Sequence, residues 1–178
     1  DGAAAAILCT EEGLKRIGAD KSRCIKISAS VLRSFSPRRI DQPELHVGRL
    51  AAQQAYEIAG LGPQDMHVAE VHDASAMGEI IQAENLGLVE LGMGGPAAER
   101  GEFTIGGRIP INPSGGLESK GHPIGATGIG QLYELVTQLR GEAGARQVEG
   151  ARHAIQENGG GMQGVEEAAV AIHILSKS

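Results

Sequence analysis

Residues 112–128, NPSGGLESKGHPIGATG, set one histidine, His122, among glycines and two prolines directly before a helical pattern. Glycine has no Cβ and takes up positive φ without steric cost, so such a loop lets backbone approach something closely. That something is a phosphate, a bulky thioester or another stretch of chain. At the head of a helix, free N–H groups and the helix dipole favour negative charge. A second place is EVHDAS, where His72 and Asp73 stand at the point an apolar run reaches a polar loop. Open α/β sheets usually bind ligands at such strand ends. The third is ENGGGMQG, where Glu157 and Asn158 precede Gly159, Gly160 and Gly161, whose N–H groups could form an anion-holding nest. Two histidines, a carboxylate and a nest supply the base, the acid and the oxyanion site of acyl chemistry. Each place also has a plainer account: His122 bonding only to backbone, Asp73 capping a strand end, Glu157 solvated at a hairpin tip.

The elements that must position these residues alternate between strand and helix. Ala3 to Thr10 reads as a strand, Glu11 to Gly18 as a short helix stopped by glycine, and CIKISASVLRS as a longer strand of period two. LHVGRLAAQQAYEIAG has apolar residues at helical spacing and ends in Gly60. MHVAEVHDAS is a buried strand running into a polar end, and Ser75 is placed to cap the helix AMGEIIQAENLGL. Residues 92–116 form a Gly/Pro-rich excursion containing the hairpin-like GEFTIGGRIPIN. GIGQLYELVTQLRGEAG is the clearest amphipathic helix, and RHAIQENGGGMQG with VEEAAVAIHILSKS reads as two strands joined by a glycine turn. Strands alternating with helices predict an α/β layered sheet with an antiparallel part.

Composition narrows the function classes. One domain is expected from 178 residues. The 16 Lys+Arg against 22 Asp+Glu give a net charge of −6 with no basic stripe beyond PRR, which argues against nucleic acid. Two cysteines, Cys9 and Cys24, lack disulfide-framework or zinc spacing and point to a reducing compartment and to small buried thiols. No apolar run reaches membrane-spanning length and no secretory leader opens the chain. GHPIGATGIG lacks the Gly-Lys-Ser/Thr ending of a nucleotide phosphate loop, and His46, His67, His153 and His173 fall in helix or strand patterns and read as structural.

Taken together, INPSGGLESKGHPIGATGIGQLYELVTQLRGEAG resembles the histidine block of the thiolases, with Asn, paired Gly, Gly-His-Pro and Gly-x-Thr-Gly in that order and spacing. EVHDAS is similar to the His-Asp-Cys-Phe segment of the sterol-carrier-protein-x, or lipid-transfer, branch of that superfamily, where other thiolases carry Asn-Glu-Ala-Phe. ENGGGMQG resembles the Cys-x-Gly-Gly-Gly block, and DGAAAAIL the strand that closes the N-terminal half. The resemblance covers essentially the whole chain.

It implies the C-terminal half of a thiolase fold, spanning residues 1–178, with a mixed five-stranded sheet layered with helices and residues 1–10 as the last strand of the other half. It implies an acetyl-CoA acyltransferase-like activity, carbon–carbon bond cleavage or formation β to a CoA thioester through an acyl-cysteine supplied from outside this chain, which alone should be inactive. His122 would activate that cysteine, His72 would help to hold an oxyanion, and the Gly159 N–H would join a second oxyanion hole. Asn112, Gly115, Gly116, Gly121 and Gly160 would line the substrate. Coenzyme A thioester enters as substrate, with no covalently bound cofactor and no metal. The partners implied are the N-terminal half, a second copy in a homodimer and a small zinc-ribbon/OB-fold companion, in the cytoplasm.

Two positions depart from the pattern: Ala74 and Glu157 stand where family members carry cysteine. Glu157 could replace the acid/base cysteine if its site is dry enough to raise its pKa, with Ser75 a weaker candidate. A thiolase-like retro-aldolase and a non-catalytic acyl-CoA or lipid-binding subunit are the alternatives these departures leave open.

Overall fold

A computed structural model describes residues 1–177. Ten helices and strands follow in the order α1 (Glu11–Ile17), β1 (Ile25–Ser34), α2 (Val47–Ala59), β2 (Val68–Glu70), α3 (Ala76–Asn85), α4 (Gly94–Glu99), α5 (Gly116–Lys120), α6 (Thr127–Arg140), β3 (His153–Gly160) and β4 (Ala169–Lys177). The sheet has the order β1-β4-β3-β2. β4 pairs antiparallel with both β1 and β3, and β2 pairs parallel with β3.

Local chemistry explains the element ends. Thr10 accepts from Gly13 N–H at the head of α1, and Gly18 closes it at φ 63°. Gly60 and Gly141 end α2 and α6 in the same left-handed conformation. Ser75 caps α3 as expected, its hydroxyl accepting from Gly78 N–H at 3.1 Å.

Alternation along the strands sends side chains to two cores on opposite faces of the sheet. On one face Ile155, Val170, Ile172 and Ile174 pack with Ala51, Ala55 and Leu86 beneath α2 and α3. On the other, Ala154 and Leu175 pack with Leu135 and Leu139 of α6. Helices thus cover both faces. The same alternation decides the site: Gln156 and Asn158 face α6, where both bond Gln131, whereas Glu157 faces the α2–α3 side.

Four expectations change. The sheet has four strands among the described residues, not five. At the fifth position stands an isolated parallel bridge from Ile111 to Ala69, flanked by Pro110 and Pro113, which have no N–H to extend a ladder. Asn112 leaves the extended region at φ 50°, and its side-chain oxygen accepts the Val71 N–H that a fifth strand would have taken. GEFTIGGRIPIN accordingly bends as turns, with Ile109 N–H and Ile111 N–H bonded to Glu102 and Phe103 carbonyls, and forms no strand pair.

Residues 3–10 form no strand. Ile7 and Leu8 are 88% and 75% exposed, because no other segment among the described residues offers this run a ladder or a covering face. Cys9 is exposed with it and Cys24 is half-buried, so neither is the buried thiol expected. No helix among the described residues is long and apolar enough to cross a membrane.

Candidate active site

β2 is short because its far end turns into the site. Glu70 closes it, fully buried, and the chain continues through Val71 to His72 and Asp73. Glu70 pairs in register with Gln156, which brings the next residue of β3, Glu157, beside the exiting chain. There Glu157 Oε2 accepts the His72 N–H at 2.8 Å. His72 Nε2 lies 3.4 Å from His122 Nε2, with the rings edge to face and 4.9 Å between centroids. The structure therefore brings His72, His122 and Glu157 together from three separate segments.

His122 is held by Thr127 on the first turn of α6. The Thr127 hydroxyl has one proton, and it is 3.2 Å from the Pro123 carbonyl, which can only accept. With that hydroxyl donating to the carbonyl, Nδ1–H is the donor in the 2.7 Å contact between His122 Nδ1 and Thr127 Oγ1. That tautomer leaves Nε2 bare and turned into the site, which is what a base for a thiol needs.

Two carboxylates at the end of β2 fix the glycine loop. Glu70 accepts from Ser114 N–H at 3.1 Å and Ser114 Oγ–H at 2.8 Å, and Lys120, two residues before His122, stands 3.8 Å away. Burial pushes Glu70 up to about 7 against the opposing pull of Lys120 and Ser114. Asp73 Oδ1 accepts the Leu117 N–H at 2.7 Å. Gly116, at φ 62°, presses against that carboxylate so closely that a Cβ would collide with it. Gly115 and Gly121 also have positive φ, and Gly121 turns the chain from α5 into His122.

The environment of Glu157 is dry. Its side chain is fully buried, and Oε1 has no hydrogen-bond partner among the described residues. Burial pushes the carboxyl up to about 8, opposed by the His72 N–H and reinforced by Glu167 and Asp73. His72 is lowered, by burial first and then by His122, with Glu167 and Asp73 opposing. Glu157 is thus no solvated hairpin tip.

The remaining expected site residues divide by surroundings. Gly159 and Gly160 lie inside β3, paired with Val170 and Ala169, so the three-glycine nest does not form and only Gly161 has positive φ. Gly159 must lack a Cβ because Glu167 Cγ would lie 2.7 Å from it. The Asn112 carboxamide is engaged on both sides, by Val71 N–H and, at 3.5 Å, by Glu79. Among the described residues no cluster of His, Cys, Asp and Glu is arranged to hold a metal ion.

Glu70, Glu167 and His46 are the residues that sequence reasoning missed. Glu70 had a signal, a carboxylate inside the apolar run VAEV. Glu167 had none, because its neighbours in VEEAA do not reveal that the chain folds it back over Gly159.

The family model for thiolase C-terminal domain-like sequences matches residues 35–176. Sterol carrier protein 2 of Oryctolagus cuniculus is 46% identical over 164 residues, which cover 89% of this chain and 30% of that protein. An acetyl-CoA acetyltransferase of Methanothermobacter thermautotrophicus is 45% identical over 178 residues, covering 99% of this chain and 45% of that one. The chain thus spans less than half the length of these two relatives. Among solved structures, the Ltp2-ChsH2(DUF35) aldolase superposes with a TM-score of 0.71 at 24% identity, covering 86% of this chain and 39% of that one, a likeness of fold.

Proposed function

Because this chain belongs to the thiolase C-terminal domain-like family, we propose that it supplies the base and the acid for carbon–carbon bond cleavage or formation β to a CoA thioester. The observation that supports this reading is the convergence of bare His122 Nε2 with buried Glu157 across His72. The nucleophile is a cysteine outside these 178 residues, since Cys9 is exposed on the segment before α1 and Cys24 immediately precedes β1, both away from His122.

In the cleavage direction the cysteine thiol gives its proton to His122 Nε2 and the thiolate attacks the 3-keto carbon. The imidazolium of His122, with His72 beside it, stabilises the oxyanion that develops. The C2–C3 bond breaks with its electron pair passing to C2, and the proton on Glu157 Oε1 transfers to that carbon, leaving an acyl-cysteine. The Glu157 carboxylate then takes the thiol proton of a second CoA, whose sulfur attacks the acyl group. The cysteine sulfur leaves as a thiolate and recovers its proton from His122. Glu157 takes the part of the absent acid/base cysteine, in the neutral form its burial favours.

A second reading is retro-aldol cleavage of a CoA thioester without acyl transfer, favoured by Ala74 and Glu157 in the two cysteine positions and by the fold shared with an aldolase. That aldolase's name includes a DUF35 component, which supports a search for a companion subunit of that kind; a homodimer is proposed alongside it. The deciding experiment incubates the full-length protein with CoA and a panel of 3-ketoacyl and 3-hydroxyacyl thioesters. Mass spectrometry then looks for an acylated cysteine. Thiolysis with an acyl-cysteine supports the thiolase reading, aldehyde or ketone release without one supports the aldolase, and tight binding without turnover overturns both in favour of a carrier.

A further inference from the structure

The segment between β3 and β4 carries two adjacent glutamates with separate tasks. Glu166 pins the segment: its carboxylate pairs with Arg38 Nε at 2.7 Å and accepts the Val47 N–H at 3.1 Å and the Ser36 N–H. Glu167 is thereby directed the other way, across Gly159 and toward Glu157. The same point above the Gly159 Cα lies 3.4 Å from Glu167 Cδ and 3.3 Å from Glu157 Oε1, so the two carboxyl groups flank one glycine. A side chain there would separate them.

Glu167 is anchored as an anion. Gln82 Nε2 of α3 donates to Oε1 at 2.7 Å, and His46 Nε2 stands 3.2 Å from Oε2, which accepts no hydrogen bond of good geometry among the described residues. His46 Nδ1 accepts the Gly48 N–H at the head of α2, so the ring proton sits on Nε2, facing Glu167. Burial works to raise Glu167, but His46, its own backbone N–H and Gln82 outweigh it and hold the carboxyl below its ordinary range.

We infer that Glu167, acting through Glu157, is a positioning residue that favours the protonated form of the Glu157 carboxyl. Two carboxylates flanking one glycine disfavour each other's ionisation, and the one that Gln82 donates to, with His46 beside it and part of its surface in solvent, keeps the charge. Burial is the largest influence on Glu157, and Glu167 adds to it. From the exit of β2 come the His72 N–H, which favours the anion, and the Asp73 carboxylate, which opposes it. Glu79 of α3 stands behind Asp73, and His122 reaches Glu157 only past His72. From α6, neutral Gln131 donates to the Glu157 backbone carbonyl rather than its carboxyl.

This inference rests on the proposed role of Glu157 but is tested without turnover. In the full-length protein the Glu157 carboxyl is followed by 13C NMR or infrared titration and assigned by its loss in E157Q. Wild type should titrate near 8, the value its burial and neighbours favour. E167Q, isosteric and uncharged, should move that titration down by about one pH unit. H46Q, which loosens the anchor of Glu167, should move it the same way by less. Folding of each variant is verified by circular dichroism, and if E167Q does not fold, H46Q alone decides. An unchanged Glu157 titration in a folded variant overturns the inference. A shifted titration with wild-type turnover in E157Q leaves Glu167 its effect but removes Glu157 from the reaction.

Discussion

Gly116 is the point where the glycine loop and the end of β2 meet, and its replacement by alanine separates two costs that the structure keeps apart. The first is conformational: at φ 62° an L-residue loses roughly 1–2 kcal/mol relative to its preferred backbone. The second is steric. The new Cβ would collide with Asp73 Oδ2 and lie 2.6 Å from Cγ, so Asp73 must move and its 2.7 Å bond to Leu117 N–H is lost. A hydrogen bond to a charged acceptor contributes about 1.5–3 kcal/mol. G116A should therefore cost about 2.5–5 kcal/mol in the native background. In D73A the obstruction is already gone, and G116A should cost only the conformational part, roughly 1–2 kcal/mol. Denaturant unfolding of the four proteins of this double-mutant cycle measures the difference. Equal costs for G116A in both backgrounds would show that Asp73 does not set the position of the loop.

Glu157 holds its proton in the fold to about pH 8 but ionises near 4.5 when unfolded, so the stability it allows is full below that lower value and declines as pH rises through 8. E157Q cannot ionise, and its thermal midpoint should gain on wild type steadily from pH 5 to 8; parallel curves would refute the assignment. T127V keeps the volume but removes the oxygen that holds His122 Nδ1, and cysteine acylation in the full-length protein should slow by about 10- to 100-fold. A rate within twofold of wild type would detach Thr127 from the chemistry. L135A empties a fully buried position between α6 and the sheet and should cost about 2–5 kcal/mol by denaturant titration, with smaller values excluding close packing there.

The elements with chemical punctuation were legible from sequence. Gly18, Gly60 and Ser75 stand at helix ends because they satisfy orphan backbone groups whatever the tertiary context. The hairpin of β3 and β4 was legible because both strands alternate and a glycine-rich turn joins them. The failures share one cause. Ala3 to Thr10 has strand composition, yet a strand exists only against a partner, and none of the described residues provides one. Residues 110–112 had a partner in Ala69 but too few backbone N–H groups to make more than a bridge. His72, His122 and Glu157 were grouped by residue type and by resemblance, but the contacts through which they meet depend on the β2–β3 register, which no local pattern encodes.

That register also explains why the site can hold an acid and a base side by side. In water at neutral pH a glutamate is charged, so it is poorly suited to donate a proton. Here the backbone of His72 is held against Glu157, which closes the carboxyl off from solvent, while the same residue's ring reaches out to His122 at the exposed mouth. One residue thus has two neighbours of opposite task. Its N–H takes Glu157 Oε2 and leaves Oε1 without a hydrogen-bond partner among the described residues, and its ring lies beside His122 Nε2. Burial is the largest influence on Glu157, with Glu167 and Asp73 adding to it, and His122 Nδ1 is held by a single hydroxyl. The proposed acid and the proposed base are therefore set by separate parts of the fold. A substitution on the Glu167 side should alter proton delivery to carbon while leaving thiol activation intact, and one at Thr127 should do the reverse.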